Sequence, residues 1–328
     1  MQSIITCALA FLVSVIAGRV IIPALRALHV GQTIREVGPT WHNSKQGTPT
    51  MGGIIFMLGI LMCVIVGWRN LLDGDLTHLI LLGFSLIFGV IGFLDDFISV
   101  KKKQNMGLTE IQKLVLQFIV AAVFLLLLRA TGHFTGMLYV PFFNVDVAIP
   151  WPLYFALGLF IIVGTVNAVN LTDGVDGLNS SVTIPGMIFY AVIAWKWSRT
   201  GASLYAAAVV GGLLGFLVYN WHPAKVFMGD TGSLFLGGAV CGLAYALDMP
   251  LVLILVGIIY IAEAMSDIIQ VLYFKLTHGK RIFRMAPLHH HFEKGGWSEI
   301  KIVCVFTSIT VVFCILAYLG VMNRVPAL

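Results

Sequence analysis

Charge is what this chain has least of. Of its 328 residues only 11% are Asp, Glu, Lys or Arg, under half of the roughly 25% that a soluble domain carries. Disordered chains are rich in charge and poor in apolar residues, so disorder is excluded. Cysteine is sparse too: Cys7, Cys63, Cys241, Cys304 and Cys314 sit singly in apolar runs, without C-x-x-C spacing. That pattern excludes a disulfide scaffold and leaves the thiols as packing residues. No glycine-rich stretch ends in Gly-Lys-Ser/Thr, which removes a Walker-type phosphate loop. Low-complexity tracts, internal repeats and a separate polar domain are also missing.

What is present is apolar. Hydrophobic residues make up 59% of the chain and the mean hydropathy is +0.96. No soluble core hides that much apolar surface, so a bilayer has to act as solvent. A spanning helix needs about 20 mostly apolar residues, and about ten runs qualify: 3–28, 50–68, 76–94, 113–130, 151–169, 183–198, 204–221, 231–248, 251–273 and 301–322. The first continues past Arg19 and Arg26 with no small-residue cleavage site, which predicts a retained helix rather than a signal peptide. The expected fold is all-α, a single polytopic membrane domain over 1–328.

Lys and Arg outnumber Asp and Glu by 20 to 15, an excess that reads as charge sorting across a membrane rather than as nucleic-acid binding. One alternating set of loops holds Arg35, Lys45, Lys101, Lys102, Lys103, Lys113, Lys225, Lys275, Lys280, Arg281, Arg284 and Lys294. The other holds little beyond Arg69, Arg129, Lys196 and Arg199. The positive-inside rule makes the first set cytoplasmic and places both termini outside.

The unusual polar residues gather in the basic loops, so the chemistry is expected on the cytoplasmic face. They include His42-Asn43-Ser44-Lys45, Asp95-Asp96, the stretch from Asn170 to Gly177, Gly229-Asp230-Thr231-Gly232 and His289-His290-His291. Asp95 and Asp96 end an apolar helix, where a carboxylate is costly enough to suggest function; the plainer reading is a solvated helix end. Neighbours on a helix point about 100° apart, so the two are expected to do separate jobs. Asn170, Asp173 and Asp176 share a face if helical; if the glycines break the helix, they form a polar loop suited to a nucleotide or phosphate. Asp230 is either an N-cap for the next helix or an oxygen ligand for Mg²⁺. Several carboxylates at one membrane face, with few thiols, favour Mg²⁺ or Mn²⁺ over zinc and point to phosphoryl transfer.

Three consecutive histidines cannot all face one ion from a regular helix, so hydrogen bonds to a phosphate or sugar fit them better than zinc. The basic run 275–284 serves either the donor or anionic headgroups. Glu263 and Asp267, four apart in an apolar run, keep a transporter in contention. Pro250 and Gly257 can bend that segment.

At these motifs the sequence resembles the bacterial phospho-N-acetylmuramoyl-pentapeptide transferases, within the polyprenyl-phosphate N-acetylhexosamine-1-phosphate transferases. The similarity runs from about Lys45 to Trp297. It is carried by Gly47-Thr48-Pro49-Thr50-Met51-Gly52-Gly53, Asp95-Asp96, Asn167-Ala168-Val169-Asn170-Leu171-Thr172-Asp173-Gly174, Gly229-Asp230 and Ala286-Pro287-Leu288-His289-His290-His291-Phe292-Glu293. The resemblance implies a ten-helix enzyme of the bacterial cytoplasmic membrane, usually a homodimer, with Mg²⁺ as cofactor. It implies transfer of phospho-N-acetylmuramoyl-pentapeptide from UDP-N-acetylmuramoyl-pentapeptide to undecaprenyl phosphate, giving UMP and lipid I. By the same resemblance Asp230 is the metal ligand and Asp95 and Asp96 the catalytic pair, with Asp95 as proton acceptor. Asn170, Asp173 and Asp176 match the donor-binding stretch, with Asp176 nearest the uracil. Lys45, Lys113, Asn220 and Phe227 match positions around the nucleotide and phosphates. His289 and His290 match the donor-contacting histidines, His289 also counting among the catalytic groups. Asp267 departs from the pattern, standing where an apolar residue is expected. The rival readings are a sister transferase using UDP-N-acetylglucosamine and, from another class, a secondary transporter.

Overall fold

The computed structural model describes residues 1–28, 45, 47–102, 107–132 and 136–324; His42, Asn43, Ser44 and Lys103 fall outside them. The chain runs through α1 (Gln2–Ala27), the short consecutive helices α2 (Gly53–Ile60), α3 (Met62–Val66) and α4 (Trp68–Leu72), then α5 (Thr77–Lys102) and α6 (Glu110–Ala130). A two-stranded antiparallel hairpin, β1 (Met137–Val140) and β2 (Val145–Ala148), follows, pairing Met137 with Ala148 and Val140 with Val145. Next come α7 (Trp151–Leu171), α8 (Leu178–Lys196), α9 (Thr200–Asn220) and α10 (Gly229–Ala246). After them lie α11 (Leu253–Val256), α12 (Ile258–Leu276), α13 (Leu288–Glu293) and α14 (Glu299–Val321).

Each of the ten apolar runs is helical. By length and hydropathy, however, seven helices qualify as spans on their own, α1, α5, α6, α7, α8, α9 and α14, and the pair α11–α12 makes an eighth if counted as one. The differences have physical reasons. The run at 50–68 is divided at Leu61 and Gly67 into short pieces. The run at 251–273 turns by 81° at Gly257, where Pro250 and Gly257 signalled a bend. Helix α10 has its hydropathy lowered by Gly229, Gly232, Gly237, Gly238 and Gly242.

That glycine content follows from where α10 sits. It is buried along nearly its whole length, and so is α9, 83% of whose apolar window lies inside the bundle against 22% for α1. Helices at the periphery face lipid and need large apolar side chains. Helices in the middle face other helices, where small residues let backbones approach. At Gly92 on α5 a Cβ would come 2.0 Å from the Asp230 carbonyl oxygen, and at Gly53 on α2 a Cβ would come 2.4 Å from Cα of Gly232. The start of α10 is thus seated directly against the backbones of α5 and α2.

Local chemistry sets the ends of the helices that carry the site. Thr109 and Gln112 form a capping box at the start of α6, two orphan N–H groups being satisfied reciprocally. Ser298 accepts from the Lys301 N–H at 3.3 Å and starts α14. Helix α10 has Met228 at its N-cap, whose side chain makes no cap hydrogen bond, so its first N–H groups need a partner from elsewhere in the fold.

Candidate functional site

That partner is Asp96. Its carboxylate accepts from the Asp230 N–H at 3.2 Å, the Thr231 N–H at 2.9 Å and the Thr231 hydroxyl at 2.6 Å. The expectation that Asp230 caps α10 is therefore corrected: Asp230 lies in the first turn, and a carboxylate from α5 does the capping. A charged acceptor on exposed N–H groups at a positive helix end is a favourable arrangement, and it frees the Asp230 side chain for other partners.

Those partners converge from three helices. Lys113, in the first turn of α6, pairs with Asp230 Oδ2. Asn170, at the end of α7, donates to Asp230 Oδ1 at 2.8 Å and to the Ser233 hydroxyl at 2.7 Å. The expectation that Asp95 and Asp96 end their helix is corrected, since α5 runs on to Lys102; Asp95 takes the Leu108 N–H at 3.0 Å and lies close enough to Asp230 and Lys113 to feel both charges. Adjacent aspartates do separate jobs, as the helical geometry predicted. Asp95 faces Asp230 and Lys113, and Asp96 fixes the first turn of the helix that carries Asp230.

The stretch after Asn170 leaves the helix. Helix α7 stops at Leu171 and α8 begins at Leu178, so Asp173 and Asp176 stand on a turn and part company. Asp173 lies between two groups of charges. Desolvation pushes its carboxyl up to about 8, and the charges of Asp230, Asp96 and Asp176 add to the rise against the pull of Lys45.

Asp176 anchors a second cluster. Lys45 Nζ lies 2.7 Å from Asp176 Oδ1 and 2.7 Å from Glu299 Oε2. His222 Nδ1 lies 3.0 Å from Asp176 Oδ2, which also accepts the Ala224 N–H at 3.0 Å. Glu299 in turn accepts the Asp176 N–H at 3.0 Å. Asp176, His222 and Glu299 present ligand atoms within 4.8 Å of one another, but the Lys45 ammonium bridges both carboxylates. Glu299 and His222 were missed by sequence reasoning. A Glu after Ser at a helix start reads as helix-end chemistry, and nothing local ties it to a lysine 254 residues away.

The three histidines go three ways from α13. His289 Nδ1 lies 3.1 Å from Glu263 Oε2, His290 Nδ1 lies 2.7 Å from Glu293 Oε2, and His291 Nδ1 accepts the Arg284 N–H at 3.0 Å. The His289 ring packs against the 172–177 turn, so close that a Cβ on Gly174 would meet Nε2 at 2.1 Å. Glu263 is paired in this way, whereas Asp267 makes no hydrogen bond or ion pair among the described residues. Gln270, also missed, clips the basic segment to α12 by accepting the Ile282 and Phe283 N–H groups at 3.1 and 3.0 Å; Lys280, Arg281 and Arg284 remain exposed.

Two expected binding residues serve the scaffold here. Asn220 is buried and donates to the Val226 carbonyl at 2.9 Å. Phe227 joins its main chain to Pro49 and Gly52 at 2.9 and 2.8 Å, which brings the Thr-Pro-Thr-Met-Gly-Gly segment up to α10. The donors around Asp230 are hard carboxylate oxygens in excess of the cations beside them, a set that fits Mg²⁺ and not a thiophilic metal.

Comparison with known proteins shows the family of the chain. The profile of glycosyl transferase family 4 matches residues 78–248, enclosing Asp95, Asp96, Lys113, Asn170, Asp173, Asp176, Asn220, Phe227 and Asp230. The class is thus a helical, membrane-embedded transferase. Signature 1 of the phospho-N-acetylmuramoyl-pentapeptide-transferases matches residues 45–57, which include Lys45. The phospho-N-acetylmuramoyl-pentapeptide-transferase of Clostridium acetobutylicum is 47% identical over 312 residues, covering 95% of this chain and 96% of the relative. The transferase of the same name from Carboxydothermus hydrogenoformans is 48% identical over 319 residues, covering 94% and 96%. That of Halalkalibacterium halodurans is 46% identical over 314 residues, covering 96% of each. The chain belongs to the phospho-N-acetylmuramoyl-pentapeptide transferase family.

Proposed function

We propose that the chain transfers phospho-N-acetylmuramoyl-pentapeptide from its UDP carrier to undecaprenyl phosphate, releasing UMP and forming lipid I at the cytoplasmic face of a bacterial membrane. The observation that carries this reading is the convergence of Asp95, Asp96, Lys113, Asn170 and Asp230 in a chain similar to these transferases over nearly its whole length. In the reaction an oxygen of the lipid phosphate attacks the sugar-bearing phosphorus of the donor. A new P–O bond forms, the diphosphate P–O bond breaks, and its electron pair leaves on UMP.

Lys113 supplies fixed positive charge beside Asp230, close to where the diphosphate has to lie. Asp95, facing that ion pair, is placed to orient the acceptor phosphate and to take any proton it still carries. Asp96 acts by holding the first turn of α10. Asp230 with its neighbour Asp95 would hold Mg²⁺, which when bound neutralises diphosphate charge and stabilises the leaving phosphate. The 172–177 turn, with Asp173 and Asp176, and His289 behind it form the wall against which the donor is read.

The test is UMP release by purified protein given UDP-N-acetylmuramoyl-pentapeptide, with and without undecaprenyl phosphate. The expected result is release that needs the lipid, stops with EDTA, returns with Mg²⁺ and is absent with UDP-N-acetylglucosamine. Equal turnover of both sugars would replace this reading by the sister transferase. Flux across proteoliposomes without UMP would replace it by a transporter. Ten crossings with both termini outside, and a homodimer, complete the proposal; labelling of single cysteines at the termini from either side, and mass measurement in detergent, test them.

A further inference from the structure

Glu263 is an acid buried where nothing in the chemistry above calls for one. It lies in α12 at 0% exposure, and His289, opening α13, is at 1%. The carboxylate receives His289 twice. The main-chain N–H lies 3.2 Å from Oε1 and 3.4 Å from Oε2, and ring Nδ1 lies 3.1 Å from Oε2. A group held by backbone and ring together cannot turn its ring without breaking a charge-assisted hydrogen bond. Among the described residues His289 is the only ion-pair partner of Glu263.

The second observation lies on the other side of the ring. Nε2 of His289 is fully buried and has no hydrogen-bond partner among the described residues. Leaving such a nitrogen unsatisfied costs on the order of 1–3 kcal/mol, and a native fold keeps one only for a reason. The space in front of it is the backbone of Gly174, where a Cβ would intrude to 2.1 Å. The charged or titratable groups around the ring are Glu263 from α12, His290 at 4.1 Å between ring centroids, and Asp173 and Asp176 on either side of Gly174.

We propose that Glu263 is a positioning residue: it clamps His289 so that Nε2, set against Gly174 of the 172–177 turn, is held as a hydrogen-bonding nitrogen for the sugar-diphosphate substrate. This rests on the transferase reading above. The hydrogen bond to the Glu263 carboxylate occupies Nδ1, so Nε2 is the ring nitrogen left for the substrate. The ring orients a substrate group and transfers nothing.

The experiment uses the full chain in detergent. In Glu263→Gln, kcat/KM for the UDP-sugar is expected to fall on the order of 10- to 100-fold, with KM for undecaprenyl phosphate unchanged, and Glu263→Asp recovers part of the loss. Glu263→Gln in a His289→Gln background is expected to add nothing, since the clamp then has nothing to hold. Additive losses, or equal losses for both substrates, overturn the proposal. Should Glu263→Gln fail to fold, Gly174→Ala probes the same nitrogen from the other side, and wild-type donor kinetics there overturn it as well. A readout independent of turnover is ¹⁵N NMR of histidine-labelled protein, with the His289 signal identified by its loss in His289→Gln. A His289 spectrum that changes in Glu263→Asp supports the clamp, and one that does not overturns it. If the wild type releases no UMP while that spectrum responds, the transferase reading fails and the clamp stands.

Discussion

The polar clusters on either side of Asp173 use the same residue types to opposite ends. Around Asp230, the carboxylates of Asp95, Asp96 and Asp230 crowd together with Lys113 as the cation paired there. Around Asp176, the two carboxylates of Asp176 and Glu299 share one ammonium and one imidazole, and main-chain N–H groups fill further lone pairs. The first cluster is over-supplied with negative charge and the second is nearly balanced. A balanced buried network stabilises: here it ties α14, the 172–177 turn and the segment at Lys45 into one unit. An unbalanced one destabilises the fold by itself and persists where a cationic or polarised ligand completes it. On the proposed function, the difference separates a cluster placed for chemistry from one that holds the donor-facing turn in shape.

That contrast can be broken experimentally. The largest effect is expected for Asp230→Asn, which should lower lipid-dependent UMP release by roughly 10²–10³-fold without lowering the thermal midpoint, because Lys113 still has Asp95 beside it. A variant with both activity and stability intact would remove Asp230 from the reaction. Lys45→Met should act mainly on stability. It takes the shared ammonium from Asp176 and Glu299, whose side chains are 2% and 14% exposed, at a cost of about 3 kcal/mol, visible as an earlier unfolding transition in detergent. If instead Lys45→Met abolished turnover at unchanged stability, the second cluster would be as chemical as the first. Gly92→Ala, forcing a methyl onto the Asp230 carbonyl, should cost about 1–3 kcal/mol and displace the acid cluster; an unperturbed variant would mean that the seam between α5 and α10 is looser than 2.0 Å implies.

The last effect is a slope with pH. An unfolded Asp titrates near about 4, whereas Asp173 in the fold titrates at about 8. Below about pH 4 both states hold the proton and stability is unaffected. From about 4 to about 8 the unfolded chain alone releases it, so metal-free stability falls as pH rises, and above about 8 the fall stops. Asp173→Asn should abolish this part of the slope in thermal melts taken across that range. Parallel curves for variant and wild type would place Asp173 outside the field of the neighbouring carboxylates.

Much of this was legible because membranes make polarity expensive. Asp95, Asp96 and Asp230 stand out against apolar runs, and their order along the chain matched a family. The bend at Gly257 announced itself through Pro250 and Gly257. What stayed hidden was pairing at a distance. Asp96 as the cap of α10 cannot be read locally, because the sequence before α10 shows only that Met228 is a poor cap. Glu299 and His222 carry no local mark, and the pairing of Glu263 with His289 looks in the sequence like an isolated membrane acid. Hydropathy found α10 but not its place. Its glycines are the trace of a helix that meets other backbones on every side, and a scale that scores transfer to lipid reads them as weakness.

The seams at Gly92 and Gly53 also limit how this protein can evolve. Every replacement of a glycine adds at least a Cβ, and at these positions the atoms it would strike are main-chain atoms at 2.0 and 2.4 Å, which no neighbouring side-chain change can move aside. Single substitutions in the seams are therefore closed as routes for adjusting the site. Single substitutions that retune this site are therefore expected in the turn at 172–177, the histidine helix and the long lysines rather than at the junction of α2, α5 and α10.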